Sequence, residues 1–147
     1  MHLRNDTYLA DIRIAGRSIY SDGVFEVTAD PVNPIEIIVG TNGGSIKGII
    51  PDKGHEKVQL LLLPEPRHRN NTSLFTMFTL SESHQELNLR GLAPGDYKVL
   101  AIRAATRNIP FRSAEFLGKY EALAPTFTIL KGSRVSGVEI PLVTRDL

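Results

Sequence analysis

The sequence predicts an all-β sandwich. Apolar residues alternate with polar ones over about ten short segments, spaced roughly 8–12 residues apart and separated by Gly, Pro, Asn and Asp. Helix-forming stretches do not separate these segments, so a parallel sheet wound with helices is not expected. A single segment, after Ser113, carries helical periodicity.

The first strand runs from Tyr8 to Ala15, with Tyr8, Ile12 and Ile14 on even spacings around Asp11 and Arg13. Ser21-Asp22-Gly23 reads as a turn. Val24, Phe25 and Val27 open a second strand that Asp30-Pro31-Val32-Asn33-Pro34 breaks, and Ile35 to Val39 forms a third. Asn42-Gly43-Gly44 then interrupts the chain, because asparagine and glycine tolerate positive φ. The break divides the chain into N-terminal strands, 1–42, and a sandwich, 43–147.

Beyond it the rhythm tightens. Ile46 to Ile50 is a strand closed by Pro51-Asp52-Lys53-Gly54, and Val58 to Leu63 is apolar on both faces, as a central strand is. Pro64 to Asn71 is a polar loop. Leu74 to Leu80 alternates, with Leu74, Phe78 and Leu80 opposed to Phe75 and Met77. Glu86 to Leu92, Tyr97 to Ile102 and Phe127 to Ile129 follow, and Val138, Ile140 and Leu142 mark one last strand. Ser113 caps a two-turn helix with Phe116, Leu117 and Tyr120 on one side. A helix that short must pack on the sheet to persist.

Composition narrows the function. The 147 residues include no cysteine, which excludes disulfides, thiolate metal sites and cysteine nucleophiles. Seventeen basic and sixteen acidic residues leave a net charge of +1, no electrostatic case for nucleic acid or an anionic membrane. Pro64 ends the longest apolar run, Leu60 to Leu63, so no membrane insertion is expected. The polar start Met1-His2-Leu3-Arg4-Asn5-Asp6 leaves no room for a signal peptide. The protein is then cytoplasmic, or part of an exported chain whose signal lies elsewhere.

Leu92-Ala93-Pro94-Gly95-Asp96-Tyr97 is the most specific stretch. Pro94 fixes φ for the first central position of a type II turn, and Gly95 supplies positive φ at the second. Tyr97 then enters a strand, where its ring is buried and its hydroxyl returns to the backbone, a tyrosine corner. Pro94, Gly95 and Tyr97 are thus structural residues.

At this point the chain resembles the carboxypeptidase regulatory-like domains of bacterial, acidobacterial-type proteins. Gly43-Gly44-Ser45-Ile46-Lys47-Gly48-Ile49-Ile50 is similar to their opening strand, and Val58 to Pro64 to their second. Leu89 to Ala101 is similar to their Gly-Leu-x-Pro-Gly-x-Tyr signature; Glu115 to Glu121 and Ile129 to Leu142 resemble their short helical insertion and closing strands. The resemblance implies a Greek-key, transthyretin-like (prealbumin-like) seven-stranded sandwich with one short helical insertion. Residues 8 to 40 resemble the closing strands of a preceding sandwich domain. The implied context is a larger exported bacterial protein, in the periplasm, cell envelope or extracellular space.

The chemistry weighs against catalysis. His2, His55, His68 and His84 make no His-x-His or His-x-x-Glu pattern, so the zinc site of enzymes that carry this module is missing. The Tyr-Arg-Gly-Ser ending of transthyretin-like hydroxyisourate hydrolases is also missing. Ser81-Glu82-Ser83-His84 reads as a polar hairpin rather than a nucleophile and base, and His55-Glu56, with Lys53 and Lys57, as a solvated turn. No cofactor or metal is expected. Arg67, His68 and Arg69 in one loop, and Arg103, Arg107 and Arg112 in another, are the basic concentration. If both loops occupy one end of the sandwich, they form a ligand site for an anion or acidic sugar, with Tyr20, Phe75, Phe111 or Tyr120 as an aromatic platform. The leading expectation is a non-catalytic structural or interaction module. Its partners would be other domains of the parent chain, another protein, or a second copy through the N-terminal strands, whose apolar face (Ile12, Ile14, Phe25, Ile37, Val39) must be hidden. The alternative is a carbohydrate-binding module of starch-binding-like topology.

Overall fold

The computed structural model describes residues 5–24, 34–103 and 109–143. Within them the protein is mostly β, with several sheets and one short α-helix, in keeping with an all-β sandwich.

The N-terminal strands make a sheet of their own. It comprises β1 (Tyr8–Ile14), β2 (Arg17–Ser18) and β3 (Ile35–Gly40), in the order β2-β1-β3. Ala15 and Gly16, both at positive φ (50° and 74°), turn β1 back on β2, the geometry a two-residue antiparallel hairpin requires. This hairpin was not legible beforehand. The strand expected to open at Val24 does not start there: Val24 is exposed and outside any strand, while Phe25 and Val27 lie outside the described residues.

Eight further strands build the sandwich: β4 (Gly44–Ile49), β5 (Val58–Leu63), β6 (Thr76–Leu80), β7 (Glu86–Leu92), β8 (Gly95–Arg103), β9 (Thr126–Ile129), β10 (Arg134–Glu139) and β11 (Leu142–Val143). One sheet runs β10-β4-β7 and the other β11-β8-β5-β6, with β9 also on β8. β5 lies along β8 from Leu63 opposite Lys98 to Val58 opposite Arg103. β9 pairs with residues 95–98 of β8 and β11 with residues 101–102, so both take the edge that β5 leaves free. Eight strands thus fill seven sheet positions.

The β5–β8 pair is buried on both faces. Val58, Leu60, Leu62, Val99 and Ala101 face β4, β7 and β10 across one core with Ile46, Leu87, Leu89 and Ile140. Leu61, Leu63, Leu100 and Ile102 form a second core with Phe75, Phe116 and Tyr120. The helix α1 (Ala114–Tyr120) closes that core. Ser113 accepts a hydrogen bond from the Phe116 N–H at its start, and the Phe116 and Tyr120 rings lie 4.9 Å apart. Full burial of an aliphatic side chain contributes roughly 1.5–3 kcal/mol. The doubly covered run 58–63 is therefore the strongest single stretch of the fold.

Four expectations need correction. The single closing strand is two strands in opposite sheets, because Pro141, without an N–H, cannot continue the β10 ladder. Thr72–Leu74 is a 3-10 turn capped by Asn71, so the strand expected from Leu74 opens at Thr76. Lys53 is not in solvent; its side chain is buried and its Nζ donates to the Glu82 carbonyl at 3.1 Å. Gly95 has φ +151°, far from the value near 80° of a type II turn, and it is already the first residue of β8, opposite Ile129. The left-handed glycine of this region is Gly91 (φ +65°). It sits in a bulge where β7 sets two residues, Arg90 and Gly91, against one of β4, Ser45.

Candidate functional site

The N-terminal sheet docks against the end of the sandwich where β5 leaves and β8 enters. The Gly43 N–H donates to the Asp6 carbonyl at 2.7 Å. Asn71, buried in the loop after β5, donates from its amide to the Tyr20 carbonyl at 2.7 Å. Ser21 Oγ and His68 Nδ1 are hydrogen-bonded at 2.8 Å, and the Tyr20 ring meets the His68 ring edge-on at 5.0 Å. These contacts tie residues 37 to 51 positions apart, so they fasten one unit to the other.

Between the fastened parts lies a cleft of about 560 Å³, a size that accepts a small molecule. Tyr8, Tyr20 and Tyr97 line it, three of the four tyrosines of the chain. Asp11 and Ser18 from the first hairpin, Glu65, Arg67 and His68 from the loop after β5, and Asp96 at the start of β8 add polar groups. Most of these already have partners. Asp11 accepts from Ser18 and Arg13, both at 2.6 Å, and Arg67 Nε meets Glu65 at 2.6 Å. Glu65 also accepts from the Asp96 N–H at 3.2 Å, and Asp96 accepts from the Thr128 hydroxyl at 2.6 Å.

The titration of the cleft follows from these contacts. The Ser18 hydroxyl, then Arg13, holds the Asp11 carboxyl below the usual carboxylate range. Burial, seconded by the charge of Arg67, pushes His68 below its ordinary value. Burial raises the Tyr20 phenol, and the Asp11 charge adds to it. Burial raises Tyr97 much further, while its hydroxyl donates to the Ala93 carbonyl at 2.8 Å, the corner contact read from the sequence. At neutral pH these shifts keep the Tyr20 and Tyr97 phenols neutral, Asp11 ionised and His68 biased toward its uncharged form.

The two basic loops do not meet. Arg67 and His68 follow Leu63, which pairs with Lys98, whereas Arg103 pairs with Val58 five residues along. That distance is about 16 Å of strand. Arg103 is engaged by Glu56 at 2.8 Å, and Arg112 lies over the Phe111 ring at 5.1 Å. Arg107 lies outside the described residues. Tyr120 offers no platform; its ring is buried in the second core. Arg103 therefore does not share a site with Arg67 and His68, and Tyr120 gives such a site no exposed face. Among the described residues no three His, Asp or Glu side chains gather as metal ligands would, and no helix is long and apolar enough to cross a membrane.

Sequence reasoning named Tyr20 as an aromatic platform but missed the role of Tyr8 and Asp11 in the cleft. The available signal was their position on the first hairpin; what was missing was the docking that turns this hairpin toward the loop after β5. A second feature sits on the far side of the N-terminal sheet. Ile12 pairs with Ile37, Ile14 with Ile35 and Leu9 with Val39, so these six share one face. Ile35, Ile37 and Val39 are 53%, 66% and 42% exposed. Among the described residues β3 is also an edge strand.

No family model, no curated protein and no solved structure matches the chain.

Proposed function

We propose that this chain is a non-catalytic interaction module, a transthyretin-like Greek-key sandwich within a larger exported bacterial protein. The exposed apolar face of the N-terminal sheet carries the reading. One face of a three-stranded sheet, bounded by an open edge strand, is an interface rather than a finished surface. Its occupant is the apolar face of a neighbouring β-sheet domain in the same parent chain. Covering the exposed parts of Ile35, Ile37 and Val39 would contribute roughly 2–5 kcal/mol to that docking. The Ser21–His68 and Ser81–His84 contacts support a non-catalytic role: the first fastens two units and the second closes a tight turn.

Replacing Ile35, Ile37 and Val39 together by threonine tests the face. Apolar dye binding and concentration-dependent light scattering should fall, while the melting temperature stays within a few degrees of wild type. A variant that binds dye as the wild type does, or that unfolds with core-like losses, would reject the interface.

A second reading, a carbohydrate-binding module, draws on the tyrosine-lined cleft. Aromatic faces beside carboxylates and an arginine suit a hydroxyl-rich ligand. The two aromatic ring contacts described are edge-on or tilted, so a flat stacking pair does not support it. With no tryptophan in the chain, tyrosine fluorescence reports this cleft directly. Quenching by neutral oligosaccharides that is lost in Tyr20→Ala would favour the second reading; silence across such a panel would remove it.

A further inference from the structure

The outer face of the β10-β4-β7 sheet carries a separate hollow of about 880 Å³, edged by Asn5, Asp6 and Gly43. Ser45 and Lys47 of β4, Asn88 and Arg90 of β7, and Arg134 and Ser136 of β10 line it. The ladders fix how these side chains are arrayed. Arg134 is opposite Ser45, and Asn88 is opposite Lys47. The bulge at Arg90–Gly91 brings Arg90 level with Ser45 from the other side. Arg134 and Arg90 therefore flank Ser45 two strand spacings apart, about 9–10 Å between backbones, with Lys47 one pleat along.

Three cations thus converge from three strands, and none is paired with a carboxylate among the described residues. Asp6, at the rim, has interactions of its own. The acidic residues of the same face, Glu86 and Glu139, sit at its other end beside Ile49. The face is polarised along its strands, although the whole chain has a net charge of only +1.

We propose that this cationic hollow binds an acidic polysaccharide, with Lys47, Arg90 and Arg134 meeting successive anionic groups. The lining selects the class. Among the described residues no aromatic side chain borders the hollow, so these offer no platform for nucleobases. Val135 is the one large apolar residue among its described lining, which gives a lipid surface little to hold. Ser45, Ser136, Asn88 and Asn5 supply neutral donors and acceptors for sugar hydroxyls between the charges. Asn88 Oδ1 also accepts from Arg90 Nε at 3.5 Å, a long contact that turns this guanidinium along the strand. The site is independent of the tyrosine cleft and of the apolar sheet face, and stands or falls without them.

The test is calorimetry of the full chain with oligogalacturonate and with a heparin-derived oligosaccharide, followed by amide NMR shifts. These two probes separate carboxylate from sulfate recognition. The proposal expects binding by at least one, weakening as salt rises, with shifts centred on Ser45, Lys47, Asn88, Arg90 and Arg134. The Arg90→Gln, Arg134→Gln double variant should lose about tenfold or more in affinity, while Lys57→Gln, an exposed cation elsewhere, changes nothing. The proposal is overturned if neither probe binds at millimolar concentration, or if the double variant binds as wild type does. It is equally overturned if Lys57→Gln loses as much, or if a single-stranded oligonucleotide or phosphatidylglycerol vesicles bind more tightly than either glycan.

Discussion

Replacing Asn71 by alanine should loosen the N-terminal sheet while leaving the sandwich intact. The side chain is 6% exposed and makes two bonds, donating to the Tyr20 carbonyl at 2.7 Å and accepting from the Ser73 N–H at 3.2 Å. Each is worth about 0.5–1.5 kcal/mol net, and the Tyr20 carbonyl and Ser73 N–H lose their partner in the variant. A total loss of about 2 kcal/mol follows, or roughly 4–8 °C in melting temperature for a domain of this size. The assay pairs urea denaturation with amide hydrogen exchange. Faster exchange should appear at Ile19 and Gly23, whose N–H groups donate to the Ile12 and Ile19 carbonyls. The amides of β5 and β8 should keep their protection. A loss below about 0.5 kcal/mol, with exchange unchanged at Ile19 and Gly23, would show that the loop after β5 does not hold this sheet.

Three further outcomes are expected. Tyr97→Phe removes the hydroxyl bond to Ala93 and should cost about 1 kcal/mol. Because burial raises this phenol above its unfolded value, its contribution is fully present below pH 10 and fades as pH rises further; an alkaline denaturation curve identical in Tyr97→Phe would contradict this. His68 titrates lower folded than unfolded, so its contribution is present above about pH 6.5 and is lost as pH falls through the folded value. An NMR titration placing its folded pKa at or above 6.5 would refute the burial account. Gly91→Val puts a β-branched residue at φ +65° beside the Thr7 carbonyl and should cost at least 1–3 kcal/mol; a neutral result in urea would mean the bulge relaxes freely.

The sequence revealed most where one residue type admits one backbone or one environment. The apolar residues of 58–63 announced a strand covered on both faces, and the offset of Phe75 and Met77 from Phe78 and Leu80 matches the two cores they enter. Ser113 and the spacing of Phe116 and Tyr120 marked the helix. Tyr97 found its backbone acceptor, although Gly95 does not form the turn assigned to it. The boundaries failed where pairing partners decide them. Val138 to Leu142 alternates as one strand would, and only the sheet-switch at Pro141 separates β10 from β11. The site was least legible. Arg67 and Arg103 both read as basic loop residues, but Arg103 ends β8, and the β5–β8 register places the two at opposite ends. Lys47, Arg90 and Arg134 lie far apart along the chain, and only the β10-β4-β7 order brings them together. Lys53 looked solvated because charge patterns do not reveal a carbonyl such as that of Glu82 waiting above it.

Because the chain has no cysteine, one introduced thiol measures the central claim. Ile37→Cys places a reactive group on the exposed face of the N-terminal sheet, and Ser83→Cys places one on an exposed turn as a control. Both should react readily with a maleimide in the purified chain. In cells that make the whole protein, a reagent that cannot cross the inner membrane should still label Cys at position 83. At position 37 it should react about tenfold more slowly or worse if, as proposed, a neighbouring domain covers that face. Equal labelling at both positions in those cells would contradict the account.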